Sequence, residues 1–281
     1  MTSYVELGPI DAIIDAALAE DLASGDLTAR LTVPAARVGH AKIVAKQRLI
    51  ACGGPLVSRV FERVDPGVRV EWLVDEGARV EVGTLLARMT GNARALLAGE
   101  RTALNLLGRG CAVATLTRAY VDAAGPTLRV VDTRKTMPGL RALDRYAVRC
   151  GGGHNHRNDL GAGVLIKENH IRCAGSVAAA VRAAREHAPH TLRVECEVTT
   201  LAELREAIAA GIEAVLLDNM DDAMLREAVA IADGKLVLEV SGNVTLERLP
   251  RLAGIGVDLV SVGALTHSAP SVDLSMQFEL E

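Results

Sequence analysis

Aromatic residues are scarce in this sequence of 281 residues, which contains one tryptophan, three tyrosines and two phenylalanines. Hydrophobic residues nevertheless make up 49% of the chain and charged residues 23%, a composition typical of a folded globular protein and not of a disordered one. We therefore expect a core of alanine, valine and leucine, whose small side chains suit helices packed closely on a sheet. The length is enough for one large domain or two ordinary ones.

Cysteine pairs of the C-x-x-C type are also missing, and the cysteines are odd in number: Cys52, Cys111, Cys150, Cys173 and Cys196. This spacing argues against a disulfide framework or a zinc site and predicts isolated buried thiols. Positive charge is not in excess either, since the net charge is -4 and the pI is near 6.0. That balance argues against nucleic-acid binding and against a polybasic membrane anchor.

The sequence contains no run of about 20 apolar residues, the length that a membrane-spanning helix needs. Residues 1–22 lack the cationic and apolar regions of a leader peptide, and their pattern predicts an amphipathic helix. We therefore expect a cytoplasmic protein with no membrane segment.

The first half of the chain combines a β pattern with a helical one. Residues 38–89 form short alternating segments separated by the turn signals DPG, DEG and EVG, which predict a small antiparallel or barrel-like β unit. Residues 93–110 and 112–124 have apolar positions at helical spacing. We predict two helices there, with Gly108 and Gly110 as stop signals.

From Leu128 onward, six apolar strands alternate with helices, a pattern that predicts a parallel sheet covered by helices. No G-x-G-x-x-G motif follows the first of these strands, which lowers the case for an open dinucleotide-binding sheet. A (βα) barrel is favoured, although six clear units are fewer than the usual eight.

Polar side chains follow every predicted strand of this second half, and in such folds the carboxyl ends of the strands hold the chemistry. Arginine binds carboxylates through two hydrogen bonds, and lysine serves phosphates as a point charge. Glu197 and Asp218 could hold Mg²⁺, and the turns after the last strands expose backbone N–H groups for a phosphate. The pattern predicts a pocket for a small acid with more than one carboxylate and for a phosphorylated sugar that carries pyrophosphate.

Long motifs in the chain resemble the quinolinate phosphoribosyltransferase family, also called nicotinate-nucleotide pyrophosphorylase (carboxylating). They are ERTALNLLG, DTRKTMPGLRALDRYAVRCGGGHNHR, LIKENHI, VECEV, LLDNM, LEVSGNVT and SVGALTHSAPSVDLSM. The resemblance runs from Glu20 to the C-terminus. Two short segments depart from the family pattern: SGN stands where SGG is more frequent, and the loop after Arg157 lacks the usual Gly-Leu pair.

The resemblance implies an α/β fold, with an N-terminal α/β sandwich (residues 1–112, joined by 270–281) and an incomplete (βα) barrel of about six to seven strands (113–269). It implies transfer of phosphoribose from phosphoribosyl pyrophosphate to quinolinate, with Mg²⁺ as cofactor. The products are nicotinate mononucleotide, pyrophosphate and CO₂, as in de novo NAD biosynthesis. It also implies a homodimer in which each active site receives an arginine from the partner subunit.

The resemblance further implies roles for individual residues. The catalytic set is Lys135, Lys167, Glu197 and Asp218, of which Glu197 and Asp218 also hold the metal. Quinolinate is bound by Arg134, His156, Arg157 and Arg101, and Arg101 is the residue shared across the dimer interface. The 5′-phosphate is bound by the loops containing Ser241, Gly242, Asn243, Gly263 and Ala264.

Three alternatives remain open. Lys167 on a barrel strand suits a Schiff-base lyase, provided that its amine is desolvated. A related phosphoribosyltransferase associated with molybdate-transport genes shares the DTRKT and HR motifs. A non-catalytic phosphosugar-binding module would not need the complete set of arginines.

Overall fold

The computed structural model describes residues 10–279. The chain forms two compact units. The first comprises the described residues of Met1–Arg118, Thr136–Gly152 and Leu265–Glu281, and the second comprises Ala119–Lys135 and Gly153–Ala264. The domain boundary predicted at residues 112 and 113 stays a prediction, and residues 1–9 of the predicted N-terminal helix lie outside the described part.

The first unit contains an antiparallel sheet and several helices. Its strands are β1 (Val38–Ala45), β2 (Leu49–Ile50), β3 (Arg69–Trp72), β4 (Arg79–Val80), β5 (Leu85–Asn92) and β12 (Leu274–Phe278). The order β12-β1-β5-β3 makes one sheet, and β2 pairs with β4. Its helices are α1 (Ile10–Leu22), α2 (Leu27–Thr32), α3 (Gly54–Val64), most of α4 (Ala93–Ala124) and α5 (Arg141–Cys150). The α/β class predicted for this part is confirmed, and α3 interrupts the predicted β pattern.

The two helices predicted for residues 93–124 are a single helix of 32 residues, α4. Gly110 is not a stop signal: a β-carbon on it would lie 2.7 Å from the backbone oxygen of Cys52. The glycine is therefore required by close packing, and the helix continues through it. Among residues 10–279, no helix, α4 included, is both long and apolar enough to cross a membrane.

The second unit contains a parallel sheet of six strands in the order β6-β11-β10-β9-β8-β7. These strands are β6 (Arg129–Val131), β7 (Val164–Ile166), β8 (Val194–Val198), β9 (Ala214–Asp218), β10 (Val237–Ser241) and β11 (Leu259–Ser261). The helices between them are α6 (Glu168–Ala174), α7 (Val177–His187), α8 (Leu201–Ala209), α9 (Asp222–Ala232) and α10 (Leu249–Ile255). After β11 comes α11 (Ala264–His267), of which all but the first residue belongs to the first unit. The predicted succession of strands and helices, and with it the incomplete barrel, is confirmed.

The ends of the helices explain why the alternation is so regular. Ser176, Thr200 and Asp221 each accept a hydrogen bond from a backbone N–H in the first turn of α7, α8 and α9. A side-chain cap of this kind is worth about 1 kcal/mol. The sequence therefore marks the N-termini of three helices in this unit.

The prediction of isolated buried thiols was wrong for three of the cysteines. All five are free, but Cys173 is exposed. Cys52 and Cys150 lie beside one another and beside Glu76. Glu76 accepts hydrogen bonds of 2.8 Å from the N–H groups of Gly53 and Gly54 and from the hydroxyl of Tyr146, so this cluster anchors the N-terminus of α3.

Candidate active site

A cavity of about 140 Å³ lies at the carboxyl ends of the strands in the second unit. Four cationic side chains line it: Arg134, Lys135, Arg157 and Lys167. His156, Glu239, Ser241 and Ser261 also line it. The structure therefore brings together the residues that the DTRK, NHR and LIK motifs contribute.

Asp132 holds the NHR turn beside β6. Its side chain is completely buried, and it accepts hydrogen bonds from the His156 backbone N–H at 2.7 Å and from Asn155 at 2.6 Å. His154 pairs with Val131 as a parallel bridge. Asp132 is thus a structural carboxylate that positions the backbone just before Arg157. Its negative charge makes these hydrogen bonds stronger than bonds to a neutral acceptor.

Replacing Asp132 with alanine should lower the free energy of unfolding by about 3 kcal/mol, because two partly buried donors lose a charged hydrogen-bond partner. Denaturant unfolding measures this change. The matched control is Asp21→Ala, which removes an exposed aspartate from α1 and should change stability by less than about 0.5 kcal/mol. Equal effects of the two variants would contradict an anchoring role for Asp132.

His156 makes contacts on both ring nitrogens. Nδ1 accepts the N–H of Arg157 at 2.7 Å, while Nε2 lies 3.5 Å from Glu195 and 3.6 Å from Glu239. Hydrogen bonding to Glu195 raises the pKa of His156. Protonation of Nδ1 would break the bond from Arg157, so the tautomer that fits the geometry is neutral, with its proton on Nε2. The role of His156 in reading quinolinate stays a prediction.

The guanidinium groups of the cavity are crowded. Burial, and then the charge of Arg134, lowers the pKa of Arg157. Arg157 donates one hydrogen bond to the backbone oxygen of Gly163, at 2.9 Å. Repulsion between two cations in a partly buried site is relieved when an anion binds between them. The cavity is therefore suited to an anionic ligand.

Lys167 and Glu197 form an ion pair across neighbouring strands. The Nζ atom lies 2.5 Å from Glu197 Oε2, and the Lys167 side chain is 46% exposed. A Schiff-base lysine needs a desolvated, neutral amine, which this ion pair opposes. The geometry therefore disfavours the lyase alternative.

The predicted phosphate loop is built from two interlocked turns. Asn219 and Asn243 have φ values of 54° and 50°, a left-handed conformation that asparagine tolerates better than most residues. Asn243 donates to Asn219 at 3.2 Å, and Asn219 donates to Asp218 at 2.8 Å. A β-carbon on Gly242 would overlap with the Asn219 amide. Asparagine therefore adopts a left-handed backbone conformation at the position of the second glycine of SGG.

Mg²⁺ prefers oxygen ligands, and the two predicted metal ligands offer carboxylates at the ends of adjacent strands. Glu197 is in β8 and Asp218 ends β9, next to it in the sheet. Both side chains are partly exposed. The donor set therefore fits a magnesium ion that keeps several of its waters.

Arg101 belongs to the first unit and does not line the cavity just described. It is exposed on α4 and lines a second cavity, of about 380 Å³, together with Asn105, Arg109 and Asp273. Arg109 is held by Asp144, at 2.8 Å. The assignment of Arg101 to the quinolinate site of another subunit stays a prediction.

Glu195 and Glu239 are site residues that the sequence reasoning did not assign. The strand period of two places Glu195 on the same face as Glu197, and Glu239 on the same face as Ser241. Glu239 is 2% exposed and stands within an apolar strand. A buried acid two residues before a predicted site residue is the signal that could have identified it.

The comparisons with known proteins agree over almost the whole chain. The family model described as quinolinate phosphoribosyl transferase, C-terminal domain, matches residues 113–277, and the N-terminal domain model matches residues 26–111. A probable nicotinate-nucleotide pyrophosphorylase (carboxylating) of Synechocystis sp. is 42% identical, with 95% of this chain and 92% of that protein covered. One from Bacillus subtilis is 40% identical, with 93% and 90% covered. The solved nicotinate-nucleotide pyrophosphorylase of Francisella tularensis is 39% identical over 98% of both chains, with a TM-score of 0.94.

Proposed function

Since the chain belongs to the quinolinate phosphoribosyltransferase family, we propose that it transfers phosphoribose from phosphoribosyl pyrophosphate to quinolinate and releases pyrophosphate and CO₂. The product is nicotinate mononucleotide, a precursor of NAD. The observation that carries this proposal is the cavity of the second unit, in which four cationic side chains converge. A dicarboxylate that must sit beside a pyrophosphate needs such a cationic wall, because repulsion and desolvation would otherwise oppose binding.

Arg134 and Arg157 are the residues that bind the carboxylates of quinolinate. Each guanidinium can make two parallel hydrogen bonds to a carboxylate, which fixes both position and orientation. The crowding of the two groups favours occupation by an anion. Together they hold the pyridine nitrogen at a defined place, so that it can attack C1 of the ribose.

Lys135 and Lys167 stabilise the charge that develops on pyrophosphate as it leaves. Lys167 is held by Glu197, so its ammonium group is oriented before the substrate arrives. Charges that are already in place beside the developing negative charge lower the activation barrier, because the protein need not rearrange as pyrophosphate leaves. Glu197 and Asp218 also offset the positive charge that grows on the ribose.

Mg²⁺ held by Glu197 and Asp218 would neutralise charge on the pyrophosphate. The backbone N–H groups of Ser241–Asn243 and of Gly263 and Ala264 receive the 5′-phosphate. Both turns follow neighbouring strands, β10 and β11, and loops at this position of a barrel often bind phosphate. The interlocked asparagines give the first turn a fixed shape.

Further proposals concern the assembly and its place in the cell. We propose a homodimer in which Arg101 completes the quinolinate site of the partner subunit. The cytoplasm is the proposed compartment, and neither nucleic acid nor membrane is a proposed partner. The activity of the relative associated with molybdate-transport genes is the alternative reaction.

The decisive assay incubates the protein with quinolinate, phosphoribosyl pyrophosphate and Mg²⁺. Nicotinate mononucleotide, pyrophosphate and CO₂ should appear in equal amounts. Omission of quinolinate is the control for simple hydrolysis of phosphoribosyl pyrophosphate. If pyrophosphate appears only with another acceptor, the related phosphoribosyltransferase is the better assignment, and binding without any pyrophosphate release identifies a phosphosugar-binding module.

Nicotinate, which lacks the 2-carboxylate, should be a poor substrate. Without the 2-carboxylate, the partly buried Arg157 would lose an anionic partner, which discriminates against the smaller analogue, and we expect kcat/KM to fall by about 1000-fold or more on that ground. Steady-state kinetics with the two acids under identical conditions measure the ratio. Comparable kcat/KM values would show that Arg134 and Arg157 do not read both carboxylates.

A further inference from the structure

Glu239 has no role in the scheme above, although it lines the same cavity. Of the described residues that line this cavity, it alone is acidic. Its side chain is 2% exposed, and one of its oxygens, Oε1, has no hydrogen-bond partner among the residues that the structure describes. A buried polar atom without a hydrogen-bond partner destabilises the folded protein. Such an atom beside a substrate cavity therefore indicates that it binds a ligand or takes part in the reaction.

The surroundings of Glu239 raise the pKa of its carboxyl group, so that a large share of the molecules carry a proton there near neutral pH. Burial, reinforced by the charge of Glu195, raises the pKa of Glu239 to about 7. His156, Ser261 and Lys167 act in the opposite direction. The Nε2–H of His156 lies between the two carboxyl groups, 3.5 Å from Glu195 and 3.6 Å from Glu239. When Glu239 is protonated, the histidine faces one carboxylate and one neutral acid, and the two glutamates do not repel one another.

The proposed reaction needs a proton at one defined atom. When the 2-carboxylate leaves as CO₂, the electron pair of the broken bond stays on C2 of the alkylated pyridine ring, and C2 must then gain a proton. His156 offers no free proton, because Nδ1 accepts the N–H of Arg157 and Nε2 faces the carboxyl groups. The ammonium group of Lys167 forms an ion pair with Glu197. Glu239, in contrast, lines the cavity and has one oxygen, Oε1, without a hydrogen-bond partner among the described residues.

We propose that Glu239 is the general acid that protonates C2 after CO₂ has left, with His156 as the positioning residue. The C2–carboxylate bond breaks, and its electron pair remains on C2. That pair takes the proton of Glu239 to form the C2–H bond, which leaves Glu239 as a carboxylate. Glu239 regains a proton from solvent after the product leaves. This inference rests on the proposed phosphoribosyl transfer.

The test separates the two halves of the reaction in a single turnover of the Glu239→Gln variant. Glutamine keeps the size of the side chain but cannot act as an acid. Rapid quench should show pyrophosphate release within about threefold of wild type, whereas net CO₂ release falls by about 100-fold, the contribution typical of a general acid. The carboxylated mononucleotide should accumulate, because an unprotonated C2 recaptures CO₂. Glu239→Asp keeps the acid and should restore part of the CO₂ release.

The matched control is Glu227→Gln, which makes the same change at an exposed glutamate of α9. Its ratio of CO₂ to pyrophosphate should equal that of wild type. The proposal fails if Glu239→Gln slows both products alike, if its CO₂ release is unchanged, or if Glu227→Gln lowers the ratio as much. It also fails if dialysed wild-type protein retains a tightly bound metal that Glu239→Gln loses, since Glu239 would then be a metal ligand. Absence of pyrophosphate release from wild type overturns the proposed function itself, and this inference with it.

Discussion

Replacing Lys167 with alanine should lower kcat by about 100- to 1000-fold and change the KM for quinolinate by less than about fivefold, because the lysine acts mainly on the departing pyrophosphate. An interaction that is strongest in the transition state affects kcat rather than ground-state binding. Lys135, which lines the same cavity, should show the same kinetic pattern. Steady-state kinetics with quinolinate varied at saturating phosphoribosyl pyrophosphate measure both constants.

The ion pair of Lys167 with Glu197 is the reason to expect a large effect. At 2.5 Å, the carboxylate holds the ammonium group in place, and removal of the lysine also leaves Glu197 without this partner. Both losses weaken the stabilisation of charge in the transition state. Glu197 is only 15% exposed, so solvent compensates for little of the lost partner.

The matched control is Lys235→Ala. Lys235 also forms an ion pair, with Asp233 at 2.9 Å, but both side chains are more than two-thirds exposed, at 77% and 72%. Exposed pairs contribute little to stability, and kcat should remain within about twofold of wild type on the same ground. If Lys167→Ala raises only the KM for quinolinate, the lysine binds a carboxylate in the ground state and its assignment to pyrophosphate is wrong.

The parallel sheet could be predicted from the sequence because its strands and helices have clear physical signals. An apolar strand such as Ala214–Asp218 and a side-chain cap such as that of Thr200 can each be recognised from residues that are close in the sequence. The continuation of α4 through Gly110 could not be predicted, because it depends on the distant backbone of Cys52. Helix α3 was missed for a similar reason, since its N-terminus is stabilised by the remote carboxylate of Glu76.

The cationic part of the site was also predictable, whereas its acidic part was not. Arg134, Lys135 and Lys167 follow strands directly, so topology alone places them at one edge of the sheet. The partners of His156 come from β8 and β10, which are not neighbours in the sheet, so the order of residues along the chain does not show that they meet. Asp132 precedes Arg134 by two residues, yet its complete burial makes it an anchor of the NHR turn and not a ligand.

Arg101 is the basis of the second prediction with a large effect. The residue is exposed on α4, and one alternative is that it is an ordinary helical arginine that lies beside Arg109 in a cavity of the first unit. In the proposed homodimer, Arg101 instead completes the quinolinate site of the partner subunit, which is the arrangement expected for an isologous interface. Arg101→Ala and Lys135→Ala should then each be nearly inactive when assayed alone.

Mixing the two inactive variants under conditions that allow subunit exchange should restore activity. Each mixed dimer has one site with both residues intact and one site with both residues lost. With random pairing, about half of the dimers are mixed and about half of their sites work, so activity should approach roughly a quarter of that of wild type. The control mixes Lys135→Ala with Lys167→Ala: because both residues belong to the same cavity of one unit, no mixed dimer has an intact site and activity should stay at the level of the single variants. Proven exchange without recovery in the Arg101 mixture would mean that Arg101 serves its own subunit or no active site at all.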